Sequence, residues 1–167
     1  SLRRAFENPL DTAAREDMSI ASLFGGLALA NSKLGAVHGF AGPMGAMFPI
    51  PHGVICACLL PHVMEVNVKA LQEKSPLEFL SRYDEVARLL TGRPDAGATD
   101  GIDWIHDLCN ALNVAPLFEL GITESHFPEI IAGAKRASSM KGNPIELTDE
   151  ALIEILRKAV LKTNLQI

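Results

Sequence analysis

The chain has 167 residues, of which 48% are hydrophobic, and its formal net charge at pH 7 is −5. This length predicts a single domain over residues 1–167, and the composition excludes a disordered polar chain. The negative charge and the lack of a basic stretch argue against a nucleic-acid partner, because binding nucleic acid requires cations that neutralise the phosphates.

The first predicted element is a long helix from about Leu10 to Leu34. The residues before it are polar and lack the apolar segment of a signal peptide, so we expect a cytoplasmic protein. Small and apolar residues recur along one face of this helix at spacings of three and four. The pair Gly25-Gly26 costs helix stability, and we attribute it to the close approach of a neighbouring helix. The stripe consists of Ala14, Met18, Ala21, Phe24 and Ala28.

The segment from Gly35 to Gly53 is rich in glycine and proline, which predicts a shaped loop. A second, buried helix is predicted from Pro51 to about Val66, with a kink at Pro61. The longest apolar run lies in this helix and spans about a dozen residues, whereas a membrane-spanning helix needs about 20. We therefore expect no membrane association.

The three cysteines are Cys56, Cys58 and Cys109. On a helix, Cys56 and Cys58 are about 200° apart and cannot form a disulfide with each other. We interpret all three as small buried thiols in a reducing compartment rather than as catalytic or ligand residues.

The remainder of the chain also shows helical periodicity, with no alternating pattern typical of strands. Three more helix starts are predicted. One is a capping box at Ser75–Glu78, and the others are at Thr123 and Thr148. Another helix is predicted through Ile102 to Leu112, after a surface loop from Gly92 to Gly101. The fold class predicted is therefore all-α, a helical bundle.

His38 and His52 are the best candidates for a functional site. They lie at the two ends of the Gly/Pro segment, fourteen residues apart, and each is followed by glycine. This spacing fits no zinc-finger pattern, so the two imidazoles can share a metal only if the intervening segment folds back. From spacing alone, the alternative is a helix-capping histidine and a buried, hydrogen-bonded one.

The other three histidines are weaker candidates. His62 lies about 15 Å beyond His52 on the same predicted helix, too far to share its metal, and we expect it to be partly exposed. His106 and His126 are interpreted as solvated or capping residues.

The run LGAVHGFAGPMGAMFPIPHGVICACLLPHVMEVN, from Leu34 to Asn67, resembles the signature of the iron-containing alcohol dehydrogenase family, whose fold is shared with dehydroquinate synthase. The similarity extends upstream through AREDMSIASLFGGLALANSKLG. Downstream it is looser and includes SRYDEVARLL, LFELGITESHFPEI and GNPIELTDEALIEIL. It therefore covers most of the chain and implies the helical C-terminal domain of such an enzyme.

In this family an N-terminal domain binds NAD or NADP, and the helical domain holds a divalent metal, iron or zinc, through one aspartate and three histidines. The resemblance assigns two of these histidines to His38 and His52. The aspartate and the third histidine belong to a D-x-x-x-H motif that does not occur in the chain. We accordingly expect the chain to be inactive alone, with the nucleotide bound through the missing domain, and we assign no catalytic or cofactor-binding residue in the chain.

Two further positions follow from the resemblance. Gly42 occupies a place where many relatives have a histidine thought to help move a proton or position substrate, so that group is missing. Phe40 and Phe48 are candidates for walls of the substrate pocket, with an ordinary place in the core as the alternative.

The implied reaction is NAD(P)-dependent interconversion of a small alcohol and an aldehyde or ketone, with formation of a homo-oligomer left open. One alternative is a relative such as a maleylacetate reductase, a glycerol dehydrogenase or dehydroquinate synthase. The other is an autonomous helical module that binds a partner or assembles with itself.

Overall fold

The computed structural model describes residues 1–74 and 77–161 of the chain. Within these ranges the backbone forms helices and no strands, which confirms the all-α prediction. The α-helices are α1 (Leu2–Glu7), α2 (Thr12–Asn31), α3 (Ala36–Met47), α4 (His52–Lys74), α5 (Leu77–Thr91), α6 (Ala98–Ala111), α7 (Phe127–Arg136) and α8 (Asp149–Val160). Two short 3₁₀ helices, Glu124–His126 and Ser138–Gly142, flank α7.

Helix α4 contributes to both hydrophobic clusters found among the described residues. The larger cluster lies among α3, α4, α7 and α8, and the smaller one lies where the second half of α4 meets α5 and α6. Burial of apolar side chains on both sides explains why α4 is so hydrophobic along its length. The largest fully buried side chains of the main cluster include Phe40, Met44, Ile55, Leu59, Ile130 and Ile155.

The prediction of a loop from Gly35 to Gly53 was wrong, because most of this segment is α3. Its weak local propensity is overridden by burial of Phe40 and Met44 against neighbouring helices. Pro43 lies inside the helix and packs so closely on Gly133 of α7 that a β-carbon at Gly133 would be 2.7 Å from the Pro43 β-carbon. The small residues thus permit tight helix packing rather than a loop.

Two other boundaries moved for tertiary reasons. Helix α4 continues through Pro61 and past Val66 to Lys74. Helix α6 begins at Ala98, inside the predicted surface loop, because Asp84 of α5 accepts a hydrogen bond from the Ala98 backbone N–H at 2.8 Å. The starts at Thr123 and Thr148 are confirmed, and the Thr148 side chain accepts from the Ala151 N–H. The capping box at Ser75–Glu78 falls partly outside the described residues.

Helix α2 is present as predicted, but it lacks the close helix neighbour that was predicted for it. The only buried residue of α2 is Ala14, and a β-carbon at Gly25 or Gly26 would meet no described atom within 4 Å. The close helix approach inferred from this glycine pair is therefore wrong for the described part of the chain. More than half of each of several large apolar side chains on α2 is exposed, namely Ile20, Leu23, Phe24, Leu27 and Leu29.

By length and composition, α4 could cross a membrane, and so could α2 and α3 taken as one segment, although the two meet at 100°. In this fold 56% of the apolar window of α4 is buried. A mostly buried core helix passes the same test of length and composition as a membrane-spanning one.

Candidate metal centre

His38 and His52 lie side by side although fourteen residues separate them. Their ring centroids are 5.4 Å apart, with the ring planes tilted by 46°. From His38 the chain runs about 13 Å along α3 to Met47, and the segment 48–51, extended at Phe48, can span about the same distance back. His52 is the first residue of α4, so it starts that helix beside the beginning of α3.

Cys56 joins these two histidines. Its Sγ is 3.4 Å from Nε2 of His52, and one potential ligand atom from each of His38, His52 and Cys56 lies within 4.8 Å of the others. Our interpretation of Cys56 as an ordinary buried thiol missed this contact. The signal was its position four residues after His52, which places both side chains on one face of a helix.

Cys58 follows the sequence-based interpretation. It is buried on the other side of α4, where its thiol donates to the Ala159 carbonyl oxygen at 3.7 Å. The three cysteines are free, as predicted.

The electrostatic environment of the cluster favours neutral groups. Burial, and secondarily the charge that His52 can carry, holds the pKa of His38 below its usual value. Burial also raises the pKa of the Cys56 thiol. A neutral imidazole is the form that binds a metal, whereas the thiol would lose its proton on binding one.

A pair of side-chain amides, of which Asn67 is buried and Asn143 is half-buried, anchors the start of α3 and so positions His38. The side-chain oxygen of Asn143 accepts from the Ala36 backbone N–H at 3.1 Å. The Asn143 amide donates to the Asn67 side-chain oxygen at 2.8 Å and its oxygen accepts from the Asn67 amide at 3.1 Å. Asn67 is only 2% exposed and also donates to the Tyr83 hydroxyl. These bonds connect α3, α4 and α5 to the segment before α8.

Replacement of Asn143 by alanine is expected to lower the free energy of unfolding by about 2–3 kcal/mol, because it leaves the buried Asn67 amide without its main partners. Urea unfolding followed by circular dichroism measures this loss. Asn110→Ala, at an exposed position of α6, is the matched control and should change the value by no more than about 0.5 kcal/mol. Equal effects of the two substitutions would contradict the anchoring role.

A groove of about 440 Å³ opens beside the cluster, lined in part by His38, Cys56, Asn67 and Tyr83. This volume suits a small molecule. Neither Phe40 nor Phe48 lines this groove. Phe40 is fully buried in the main core, which is the second of the two places considered for it. Phe48 instead packs edge-on against His126, with ring centroids 5.0 Å apart.

Gly42 has open space around it, since a β-carbon there would meet no described atom within 4 Å. The absence of a side chain at this position is therefore not required by packing.

Of the three remaining histidines, His126 confirms its prediction, His62 contradicts it, and His106 is half-buried rather than fully solvated. His126 caps the start of its helix, with Nδ1 accepting from the Thr123 backbone N–H at 3.1 Å, as one of the two predicted roles required. His62 is only 7% exposed, not partly exposed as expected, because α6 covers it. Its ring lies 5.3 Å, centroid to centroid, from that of His106.

Residues 1–160 match the family described as Fe-containing alcohol dehydrogenase family, C-terminal. Alcohol dehydrogenase 4 of Saccharomyces cerevisiae is 33% identical over 160 residues, which cover 95% of this chain and 40% of the relative. The 1,3-propanediol dehydrogenase of Citrobacter freundii is 32% identical over 165 residues, again 95% of this chain and 41% of the relative. The chain thus spans about 40% of the length of these curated relatives.

Solved structures agree with these matches. A 1,3-propanediol oxidoreductase superposes with a TM-score of 0.81 at 31% identity, covering 95% of this chain and 41% of that one. An alcohol dehydrogenase from an archaeal halo-thermophile of a Red Sea brine pool gives a TM-score of 0.84 at 30% identity, covering 95% of this chain and 40% of that one.

Proposed function

The chain belongs to the Fe-containing alcohol dehydrogenase family, as its C-terminal part, and on this basis we propose that it forms the metal-binding half of an NAD(P)-dependent alcohol dehydrogenase. The proposed reaction interconverts a small alcohol and an aldehyde or ketone. The nucleotide, NAD or NADP, would be bound by a domain outside these 167 residues.

The observation that carries this proposal is the convergence of His38 and His52. Two ligand atoms on one tetrahedral zinc lie about 3.5 Å apart when one is nitrogen and the other sulfur, and the 3.4 Å between His52 Nε2 and Cys56 Sγ matches that separation. Nitrogen and sulfur donors suit zinc and iron. The residues present therefore fit part of a divalent-metal site, held by His38 and His52 and joined by Cys56. The aspartate and the third histidine that the resemblance implies would come from outside these 167 residues.

When bound, the metal supplies a Lewis acid that polarises the alcohol or carbonyl oxygen. The protein holds the ligand side chains in position. The Asn143–Asn67 pair holds the start of α3 and with it the His38 ring, while the extended segment 48–51 returns His52 to the same place. The groove beside His38 and Cys56 admits the substrate.

Cobalt(II) tests this assignment, because a cobalt–thiolate bond gives a charge-transfer band that histidine and carboxylate ligands do not give. The metal-free chain titrated with cobalt(II) is expected to develop this band in the near ultraviolet. Cys56→Ser should abolish it, whereas Cys58→Ser should keep it because Cys58 faces Ala159 on the other side of α4. A band unchanged in Cys56→Ser would rule out the thiolate ligand.

The 167-residue chain on its own is expected to show no NAD(P)-dependent alcohol oxidation, even with added iron or zinc. The described residues form only helices, and the nucleotide domain proposed above is not among them. The measurement is NADH or NADPH formation with ethanol or 1,3-propanediol as substrate. Turnover that disappears in His52→Ala would contradict this expectation.

The proposal also covers the substrate class, the cellular compartment and the partners of the enzyme. A small alcohol substrate is supported by the 1,3-propanediol dehydrogenase among the relatives. The alternatives are a relative that resembles a maleylacetate reductase or a glycerol dehydrogenase. We further propose a cytoplasmic enzyme without nucleic-acid or membrane partners. The exposed apolar side chains of α2 support assembly with another domain or with a second copy.

A further inference from the structure

A second group of potential ligands lies ten residues along α4 from His52, about 15 Å away along the helix axis. His62 and Glu65 are one turn apart on α4, and His106 faces them from α6. One potential ligand atom from each of these residues lies within 4.8 Å of the others. The group shares no residue with the cluster around His52 and plays no part in the function proposed above.

His62 is the unusual member of this group. Its side chain is 7% exposed, and Nδ1 is buried with no hydrogen-bond partner among the described residues. Buried polar atoms in native proteins normally have a partner, so an unpaired one calls for a missing ligand, ion or water. A small cavity of about 50 Å³ lies at two of the three residues, lined in part by His62, His106 and Cys109 but not by Glu65, and it has room for a water or an ion.

The charges around His62 come from three helices. Glu65 supplies the negative charge, and Lys158 of α8 forms an ion pair with Glu65 Oε2 at 3.0 Å. Burial, and then His106 and Lys158, lower the pKa of His62 to about 4, so its imidazole is neutral near pH 7. Neutral imidazole is the form that binds metals, whereas the Lys158 ammonium competes with a cation for Glu65.

We propose that His62, Glu65 and His106 form a second metal site that binds zinc and joins α4 to α6. Two imidazoles and one carboxylate are an established zinc ligand set, with water in the fourth position. A cation held through Nδ1 of His62 would also provide the partner that this buried atom lacks. The carboxylate has a second oxygen available while Oε2 contacts Lys158.

The test uses the whole 167-residue chain with His52→Ala, which removes the other cluster from the measurement. After metal removal with a chelator, zinc titration by calorimetry is expected to show one equivalent bound. Adding His106→Gln should weaken this binding by at least about tenfold. Loss of an outer-shell partner already costs about that much, and His106 would be a direct ligand. Lys158→Met should strengthen it, because the competing ammonium is removed. His126→Gln is the control and should change nothing.

Thermal unfolding gives a second readout. Zinc should raise the melting temperature of the His52→Ala chain, and at the same zinc concentration it should raise that of His52→Ala/His106→Gln by less. The helical content of the two variants by circular dichroism should be the same. Absence of zinc binding in the folded His52→Ala chain would overturn the proposal and leave a water as the partner of His62. Zinc binding that neither His106→Gln nor Lys158→Met alters would overturn it equally.

Discussion

His52→Ala is expected to lower the zinc affinity of the cluster formed by His38, His52 and Cys56 by about a hundredfold or more, because loss of outer-shell partners alone costs about 10–100-fold. His52 would bind the metal directly, and its ring is the one that contacts both other members. Competition with a chromophoric chelator measures the change.

The control for this prediction is His126→Gln, which alters a helix-capping histidine on another part of the surface. It should leave zinc affinity unchanged. The proposed site at His62, Glu65 and His106 has no cysteine, so the cobalt–thiolate band distinguishes the two sites. If His52→Ala and His126→Gln bind zinc equally well with the band intact, the metal centre has been placed wrongly.

Gly142→Ala is expected to destabilise the fold by roughly 3 kcal/mol or more, at the upper end of what forced overpacking costs. A β-carbon at Gly142 would overlap the backbone carbonyl oxygen of Leu34 and lie 2.7 Å from the Lys33 β-carbon. Backbone cannot move aside as a flexible side chain can. This contact between Gly142 and Leu34 lies next to the hydrogen bond between Asn143 and Ala36. Its disruption would therefore release the start of α3.

The matched control is Gly42→Ala on α3, where a β-carbon meets no described atom within 4 Å. Alanine there should stabilise the helix by about 0.5–1 kcal/mol. Denaturant unfolding of both variants gives the comparison. If Gly142→Ala and the unaltered chain unfold at similar denaturant concentrations, the contact between Gly142 and Leu34 is not tight.

Features that depend on a few neighbouring residues could be predicted from the sequence. Helical periodicity identified the all-α fold, and the polar residues Thr123 and Thr148 marked helix starts that the structure confirms. Each of these signals operates within one or two turns of helix. The motif around His38 and His52 identified the histidine pair through its resemblance to a family.

Features that depend on distant residues were decided only by the tertiary structure. Local composition predicted a loop at residues 35–53, but burial of Phe40 and Met44 against α4 and α7 stabilises a helix there. The close approach of Pro43 to Gly133, where a β-carbon would not fit, joins residues ninety positions apart, and sequence periodicity cannot detect it.

The same reason explains the errors at His62 and Cys56. His62 is buried because α6, more than thirty residues downstream, covers it with His106. The contact of Cys56 with His52 is local, but Cys56 also lies near His38 because α3 brings His38 to the first turn of α4. The sequence by itself thus determined the all-α class and, through the family motif, the pair His38 and His52. Packing between helices far apart in the chain decided that α3 is a helix and what surrounds each side chain.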